Sequence, residues 1–418
     1  HYMLKEIFEQ PRAVASALEP HIDIEAHRVQ LNRVGFGCKT VEDLERVDLE
    51  EDAQQTKNLL KEVDRIFIVA CGTSYYAGMV GKYVIEQLAG IPVEVDIASE
   101  FRYRQSIIPE KSLFVTISQS GETADTLAAL RLVKKMGVRT LSICNVRRST
   151  IDREADGHIY MNAGTEIGVA STKAFVCTLS LLNVLALAIA QSNKKLTVER
   201  GQKYVQSLLA CPSQMETVLA YDKFFNEAAE TLKLYRGFLY MGRGVNFPIA
   251  MEGALKLKEL AYMHAEGYAA GEMKHGPLAL IDESMAIVML APSDQLYDKT
   301  VSNLEEAKAR GGEIISIGTG DNKKLRDLSH HFLSLPSPYF FFLPFFFFFP
   351  FLFFHPSFPF SLFFSFLFSL LPPFPLSLLS PPSLPSPSLS LPLLSPSSPS
   401  LSSLLPPHLL SSSLSMSL

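Results

Sequence analysis

Glu252, Lys256 and Glu259 recur at i, i+4 and i+7 in EGALKLKE, so on a helix they share one face. A solvated stripe closed by an ion pair is the commoner use of such charges, but this helix follows the GRG turn, so its start faces a predicted binding edge. Downstream, in GEMKHGP, Gly276 and Pro277 end regular structure and leave His275 on a loop. A carboxylate and an imidazole near one ligand suit general acid–base chemistry. His264, beside Glu266, competes with His275, but a cap at the helix end or a core role serves it equally well.

A second kind of chemistry sits in SQSGETADT, residues 118–126. Ser118, Gln119, Ser120 and Thr123 surround Gly121, and no Lys or Arg follows until Arg131. At a strand-to-helix turn, such groups and the free N–H groups of the next helix hold a phosphate without a cation. An ordinary helix cap is the competing use, and this loop alone leaves the two level. The absence of GK[ST] argues against a nucleotide P-loop. CGTS (71–74) and GTEIGVAST (164–172) are further clusters of glycine and hydroxyl groups. Three such clusters suit a ligand with several hydroxyls, a sugar phosphate.

The elements that must carry these residues repeat. RIFIV at 65–69 leads through ACGTS into a helical stretch, 76–88; FLYM at 238–241 leads through GRG into another, 249–263. Gly72 matches Gly244, and SLFVTI from Ser112 matches SMAIVM from Ser284, each pair 172 residues apart. RTLSI and EIISI, ending at Ile143 and Ile317, continue the pattern. A duplicated α/β unit follows. Strands alternating with helices imply a parallel, doubly wound sheet in each unit, with ligands at the carboxyl ends of the strands. That edge carries ACGTS, SQSGET and GRG. The second unit is expected to be incomplete, because the pattern dissolves after Ile317.

Composition changes there as well. The 418 residues carry a formal charge of −5, yet no Asp, Glu, Lys or Arg occurs from Leu328 onward. From Phe332 the chain is Phe, Leu, Ser and Pro apart from Tyr339, His355, His408 and Met416. Pro344 and Pro350 interrupt the apolar stretch 339–354 and no basic residue flanks it, which argues against a membrane span. All four residue types can be encoded by codons starting with two pyrimidines, so the tail is read as a translated polypyrimidine tract, a gene-model artefact of low complexity. The opening HYMLKEIFEQP lacks Met at its start and an apolar signal core, and is read as the start of a piece cut from a longer chain. Cys38, Cys71, Cys144, Cys177 and Cys211 form no CxxC pair, which disfavours a metal site or disulfide framework and fits a cytoplasmic protein.

CGTS, SQSGETADT, NAGTEIGVASTKAF, EGALKLKE and GEMKHGPLALID resemble the isomerase half of the glutamine:fructose-6-phosphate amidotransferases, also called glucosamine-6-phosphate synthases, and the opening segment resembles the stretch leading into that half. The resemblance runs from residue 1 to about 320. It implies two tandem sugar isomerase (SIS) domains with flavodoxin-like sheets, in an α/β fold. The expected organisation is a linker at 1–40, a first SIS domain at 41–195, a helical segment at 196–225, a truncated second SIS domain at 226–327 and the tail at 328–418. The resemblance assigns phosphate and sugar binding to Thr73, Ser74, Ser118, Gln119, Ser120 and Thr123, with sugar contacts from Val169 and Ser171. It makes Glu259 the base moving a proton between C1 and C2, Lys256 its assistant, and His275 of a neighbouring subunit the ring-opening group. Lys256 would keep Glu259 ionised. The implied ligands are fructose 6-phosphate and glucosamine 6-phosphate, with no cofactor or metal, a glutaminase domain upstream and a homodimer. The family's Schiff-base lysine has no counterpart after Lys324, so impaired isomerase chemistry is expected. A non-catalytic SIS sensor lacks the basic stripe that a DNA-binding regulator needs, so nucleic acid is not an expected partner. Another SIS phosphosugar isomerase or deglycase fits the opening segment less well.

Overall fold

Runs rich in Val, Ile and Phe become central strands, because a parallel strand covered by helices is buried on both faces. The computed structural model describes residues 2–38 and 40–336 and contains two five-stranded parallel sheets. The first holds β1 (Arg65–Ala70), β2 (Val93–Ile97), β3 (Ser112–Ser118), β4 (Arg139–Cys144) and β5 (Gly157–Tyr160). The second holds β6 (Gly237–Gly242), β7 (Ala265–Ala269), β8 (Met285–Ala291), β9 (Glu313–Thr319) and β10 (His331–Leu335). In both, the strand order is 2-1-3-4-5, the flavodoxin-like arrangement. The duplication is preserved to the edges: β1 to β6 and β2 to β7 are shifts of 172 residues, 65 to 237 and 93 to 265.

Six helices frame or support the binding edges: α1 (Tyr2–Leu18), α2 (Gly72–Ala89), α3 (Ala124–Lys135), α4 (Lys173–Ser192), α5 (Val198–Leu219) and α6 (Asn246–Ala261). α4 is long and apolar enough to cross a membrane, but 94% of its apolar window is buried, against α1 and α2 among others. A Cβ at Gly81 of α2 would come within 3.0 Å of Leu182, and one at Gly78 within 2.8 Å of Ile68. These two glycines therefore set how closely α2 lies on α4 and β1. The polar groups buried with α4 are satisfied, as the Tyr204 hydroxyl of α5 donates to Asn183 Oδ1 at 3.0 Å.

Three features differ from the sequence reading. β2 and β7 are edge strands without a clear apolar run; VEVDI offers Glu94 and Asp96 to Arg104 instead, at 2.8 and 2.6 Å. The helix expected at 249–263 is α6, which stops at Ala261 because Tyr262 turns left-handed at φ 55°. His264 therefore leads into β7 and does not close a helix. Finally, residues assigned by composition to the tail supply β10, preceded by the short helix Lys323–Leu328. The boundary at 327/328 falls inside that unit, because an edge strand anchored by Leu333 and Leu335 needs no charge. Residues 337–418, including the apolar stretch 339–354, lie outside the described residues.

Candidate active site

In a 2-1-3-4-5 sheet the chain reverses direction between strands 1 and 3, and a crevice opens at their carboxyl ends. In the first sheet those strands are β1 and β3, paired from Arg65 with Ser112 to Val69 with Thr116. β1 runs into Cys71 and the start of α2, with Gly72 at φ 54°. β3 runs into the serine loop and Thr123, which precedes α3. The Cys71 thiol lies 3.8 Å from the Thr126 hydroxyl and ties the two loops together.

The serine loop is held by its own side chains. Gly121 N–H donates to Ser118 Oγ at 3.0 Å, Ser118 Oγ lies 3.0 Å from Thr123 Oγ1, and Glu122 N–H donates to Ser120 Oγ at 3.2 Å. Gly121 sits at φ 65°, and a Cβ there would be 1.8 Å from Ser149 Oγ, so no side chain fits. Neither Thr123 nor Cys71 caps its helix with a side chain. Glu122 turns away and accepts from Thr150 N–H at 2.7 Å, which holds its carboxyl below the usual range. The competing cap is thus not the one formed. Two helix starts with uncapped N–H groups face one crevice lined by hydroxyls, an arrangement suited to an anion.

The charged face of α6 meets this crevice because α6 packs across α2. Lys256 Nζ lies 2.6 Å from Glu259 Oε2, 3.3 Å from Glu252 Oε1 and 3.0 Å from Thr73 Oγ1. Thr73 in turn donates to Glu252 Oε1 at 3.1 Å. Lys256 is 2% exposed and Glu252 5%, which removes the solvated-stripe alternative. Burial pushes Glu252 up to about 7, with the Glu259 charge adding to the rise and Lys256 and Thr73 opposing it. Burial, followed by the charge on Glu252, also raises the Tyr76 phenol.

The third loop is organised differently. Glu166 accepts from Thr172 N–H at 2.7 Å, Lys173 N–H at 2.8 Å and Ser171 Oγ at 3.0 Å, so it caps α4 and occupies the Ser171 hydroxyl. Val169 is 97% exposed. From α1, Glu6 accepts Ile167 N–H at 2.6 Å and Gly168 N–H at 3.0 Å, while Glu9 pairs with buried Lys173 at 2.8 Å. His275 ends a 3-10 turn, Ala270–His275, exposed to solvent. Among the described residues no hydrogen bond or ion pair joins it to Glu259. Thr73, Lys256 and Glu259 are therefore brought together, Ser118 and Thr123 lie at the end of the neighbouring strand, and His275 is joined to none of them. Sequence reasoning gave no role to Glu252, although its spacing displayed it, and missed Tyr76, Glu6 and Glu166, whose partners lie in other elements or around a turn.

The second sheet has its own switch point between β6 and β8, with Gly244 at φ 55° matching Gly72. Its loop carries Asp294 where the first has Glu122, and Asp294 accepts from Asn246 Nδ2 at 3.2 Å. Leu296 fills the space over Gly244, 2.9 Å from where its Cβ would lie. The GRG turn is thus at a binding edge in topology but lacks the hydroxyl cradle.

The SIS domain family matches residues 59–188 and 236–342. The glutamine–fructose-6-phosphate aminotransferase (isomerizing) of Brucella abortus is 47% identical over 317 residues, covering 76% of this chain and 49% of that protein. The Escherichia coli protein of the same name is 46% identical over 337 residues, covering 80% and 52%. The chain spans about half the length of these curated relatives. Among solved structures, the C-terminal domain of glucosamine-fructose-6-phosphate aminotransferase from Francisella tularensis matches with TM-score 0.75 and 42% identity, over 84% of this chain and 93% of that one. A glucosamine-6-phosphate deaminase from Thermotoga maritima matches with TM-score 0.60 and 21% identity, which speaks to fold alone.

Proposed function

The chain belongs to the SIS domain family of glutamine–fructose-6-phosphate aminotransferases, and on that premise we propose that it binds fructose 6-phosphate and moves a proton between C1 and C2. The supporting observation is the buried Lys256, held between Glu252, Glu259 and Thr73 beside two hydroxyl-lined helix starts. The phosphate rests on the starts of α2 and α3 with Ser74, Ser118, Gln119, Ser120 and Thr123. Val169 and Ser171 contact the sugar from the third loop. Glu259 is the base. It takes a proton from C1 of the open-chain sugar, the C–H electron pair becomes the C1=C2 bond, and the carbonyl or imine at C2 gains a proton. Glu259 then returns its proton to C2 while the C1 hydroxyl gives up its own proton to become the aldehyde, offsetting the one gained at the C2 oxygen or nitrogen. This yields glucose 6-phosphate from the ketone or glucosamine 6-phosphate from the imine. Lys256 assists at its side, and His275 of a second subunit in a homodimer opens the ring. The amine comes from a glutaminase domain of the whole protein, and the unpaired thiols suit a cytoplasmic site of action.

Exchange of the C1 hydrogens of fructose 6-phosphate in D2O, followed by proton NMR, tests this reading. Glu259→Gln is expected to slow exchange by about 100-fold or more, with sugar-phosphate affinity within a few-fold of the unsubstituted chain. Exchange that persists in the variant removes Glu259 as the base.

A further inference from the structure

Glu252 is placed as no surface charge would be. It lies on α6 of the second domain, buried against Thr73 of the first, and one of its carboxylate oxygens does all the bonding. Oε1 accepts the Thr73 hydroxyl at 3.1 Å and sits 3.3 Å from Lys256 Nζ, while Oε2 is buried without a hydrogen-bond partner. Lys256 Nζ donates to Thr73 and forms ion pairs with Glu252 and Glu259, whose Oε2, like that of Glu252, has no hydrogen-bond partner. Thr73 accepts from Lys256 and gives its single hydrogen to Glu252. Toward a ligand it has only a lone pair to offer, which suits a sugar hydroxyl and not a phosphate oxygen.

We infer that Glu252 is a positioning residue of the isomerase site, whose ionised form divides the Lys256 charge between two carboxylates and fixes Thr73 as an acceptor for a sugar hydroxyl. The inference rests on the proposed isomerase function. An ammonium shared by two carboxylates draws less charge from each. When Glu252 takes up a proton, the Lys256 charge falls on Glu259 alone, and Glu259 becomes a poorer acceptor for the C1 proton. Burial, the largest cause, raises Glu252 to about 7, so this change falls within the ordinary working range of pH. The ionisable groups around it are Lys256 and Glu259 on its own helix and Tyr76 on α2. The strands packed on the other side of α6 carry Tyr240, Glu266 and Tyr268.

The test is C1 hydrogen exchange and fructose 6-phosphate binding from pH 5.5 to 8.5, with the unsubstituted chain, Glu252→Gln and Thr73→Val. The unsubstituted chain is expected to exchange about tenfold faster at pH 8 than at pH 6, the span of one ionisation centred near 7. Glu252→Gln is expected to lose that step, keeping only the lower one from the substrate phosphate, whose second pKa is about 6. Its kcat falls while its KM stays within about threefold, since the residue does not touch the sugar. Thr73→Val, which removes a bond favouring the ionised form, moves the step to higher pH and raises KM. It keeps the inference testable if Glu252→Gln does not fold. A Glu252→Gln profile that superimposes on the unsubstituted one, or a Thr73→Val step that does not move, overturns the inference while the proposed function stands. Failure of the unsubstituted chain to bind or exchange fructose 6-phosphate overturns both.

Discussion

Ser118 and Thr123 point their hydroxyls at each other, 3.0 Å apart, and the Ser120 hydroxyl holds the Glu122 N–H at 3.2 Å. One of the Ser118 and Thr123 hydrogens is spent on their mutual bond, which leaves the other, and that of Ser120, available to a phosphate oxygen. The cradle thus keeps its shape when empty and loses little order on binding. A hydrogen bond to a charged group contributes about 1.5–3 kcal/mol, so each of Ser120→Ala and Thr123→Ala is expected to weaken fructose 6-phosphate binding by roughly 13- to 160-fold. Together they should act nearly multiplicatively, with the melting temperature almost unchanged, because both residues sit in a loop at the mouth of the crevice. Isothermal calorimetry on the single and double variants measures this; affinity left intact in the double variant would remove the hydroxyls from the binding site.

A strand, a glycine turn and a helix make up each binding edge, and the two glycines of the first crevice have different physical reasons to be there. Gly72 and Gly121 both adopt positive φ, at 54° and 65°. An added methyl at Gly72 meets nothing within 4 Å, whereas at Gly121 it meets Ser149 Oγ at 1.8 Å. Gly72→Ala is therefore expected to cost about 1–2 kcal/mol, from the left-handed backbone alone. Gly121→Ala must displace the turn, so it should cost about 2–4 kcal/mol and abolish phosphate binding. Urea unfolding of the two variants separates them, and equal losses would contradict the packing argument. This difference was not visible in the sequence, where both glycines simply follow a strand. What the sequence displayed was the local pattern: the central strands, the 172-residue repeat and the spacing of Glu252, Lys256 and Glu259. It hid β2 and β7, because an edge strand exposes one side and tolerates glutamate, aspartate and glycine. It hid β10 because loss of charge looks the same in an apolar strand and in a low-complexity tract.

Neither repeat holds the candidate site alone, since Thr73 comes from the first and Lys256 from the second. The spacing on α6 showed which residues share a face, but only the packing of α6 across α2 decides that this face is buried and what it meets. Motif resemblance named the residues; it could not show that Ser171 is bonded to Glu166 or that His275 stands apart from Glu259. The same holds for the long-range tie from α1 to the third loop. Glu6, 3% exposed, accepts both Ile167 and Gly168 N–H across more than 160 residues of chain. A carboxylate holding two backbone N–H groups uses charge-assisted bonds of about 1.5–3 kcal/mol each, and its removal hands both donors to water. Glu6→Ala is therefore expected to free residues 164–172 while β1 and β3 stay protected. In hydrogen–deuterium exchange, amides of that loop should exchange at least about tenfold faster, a change of about 1.4 kcal/mol or more in local opening. If Val169 and Ser171 contact the sugar, fructose 6-phosphate binding weakens in the same variant and bound ligand restores the protection. Faster exchange with unchanged affinity would leave α1 as a clamp on the loop but take the loop out of the sugar site.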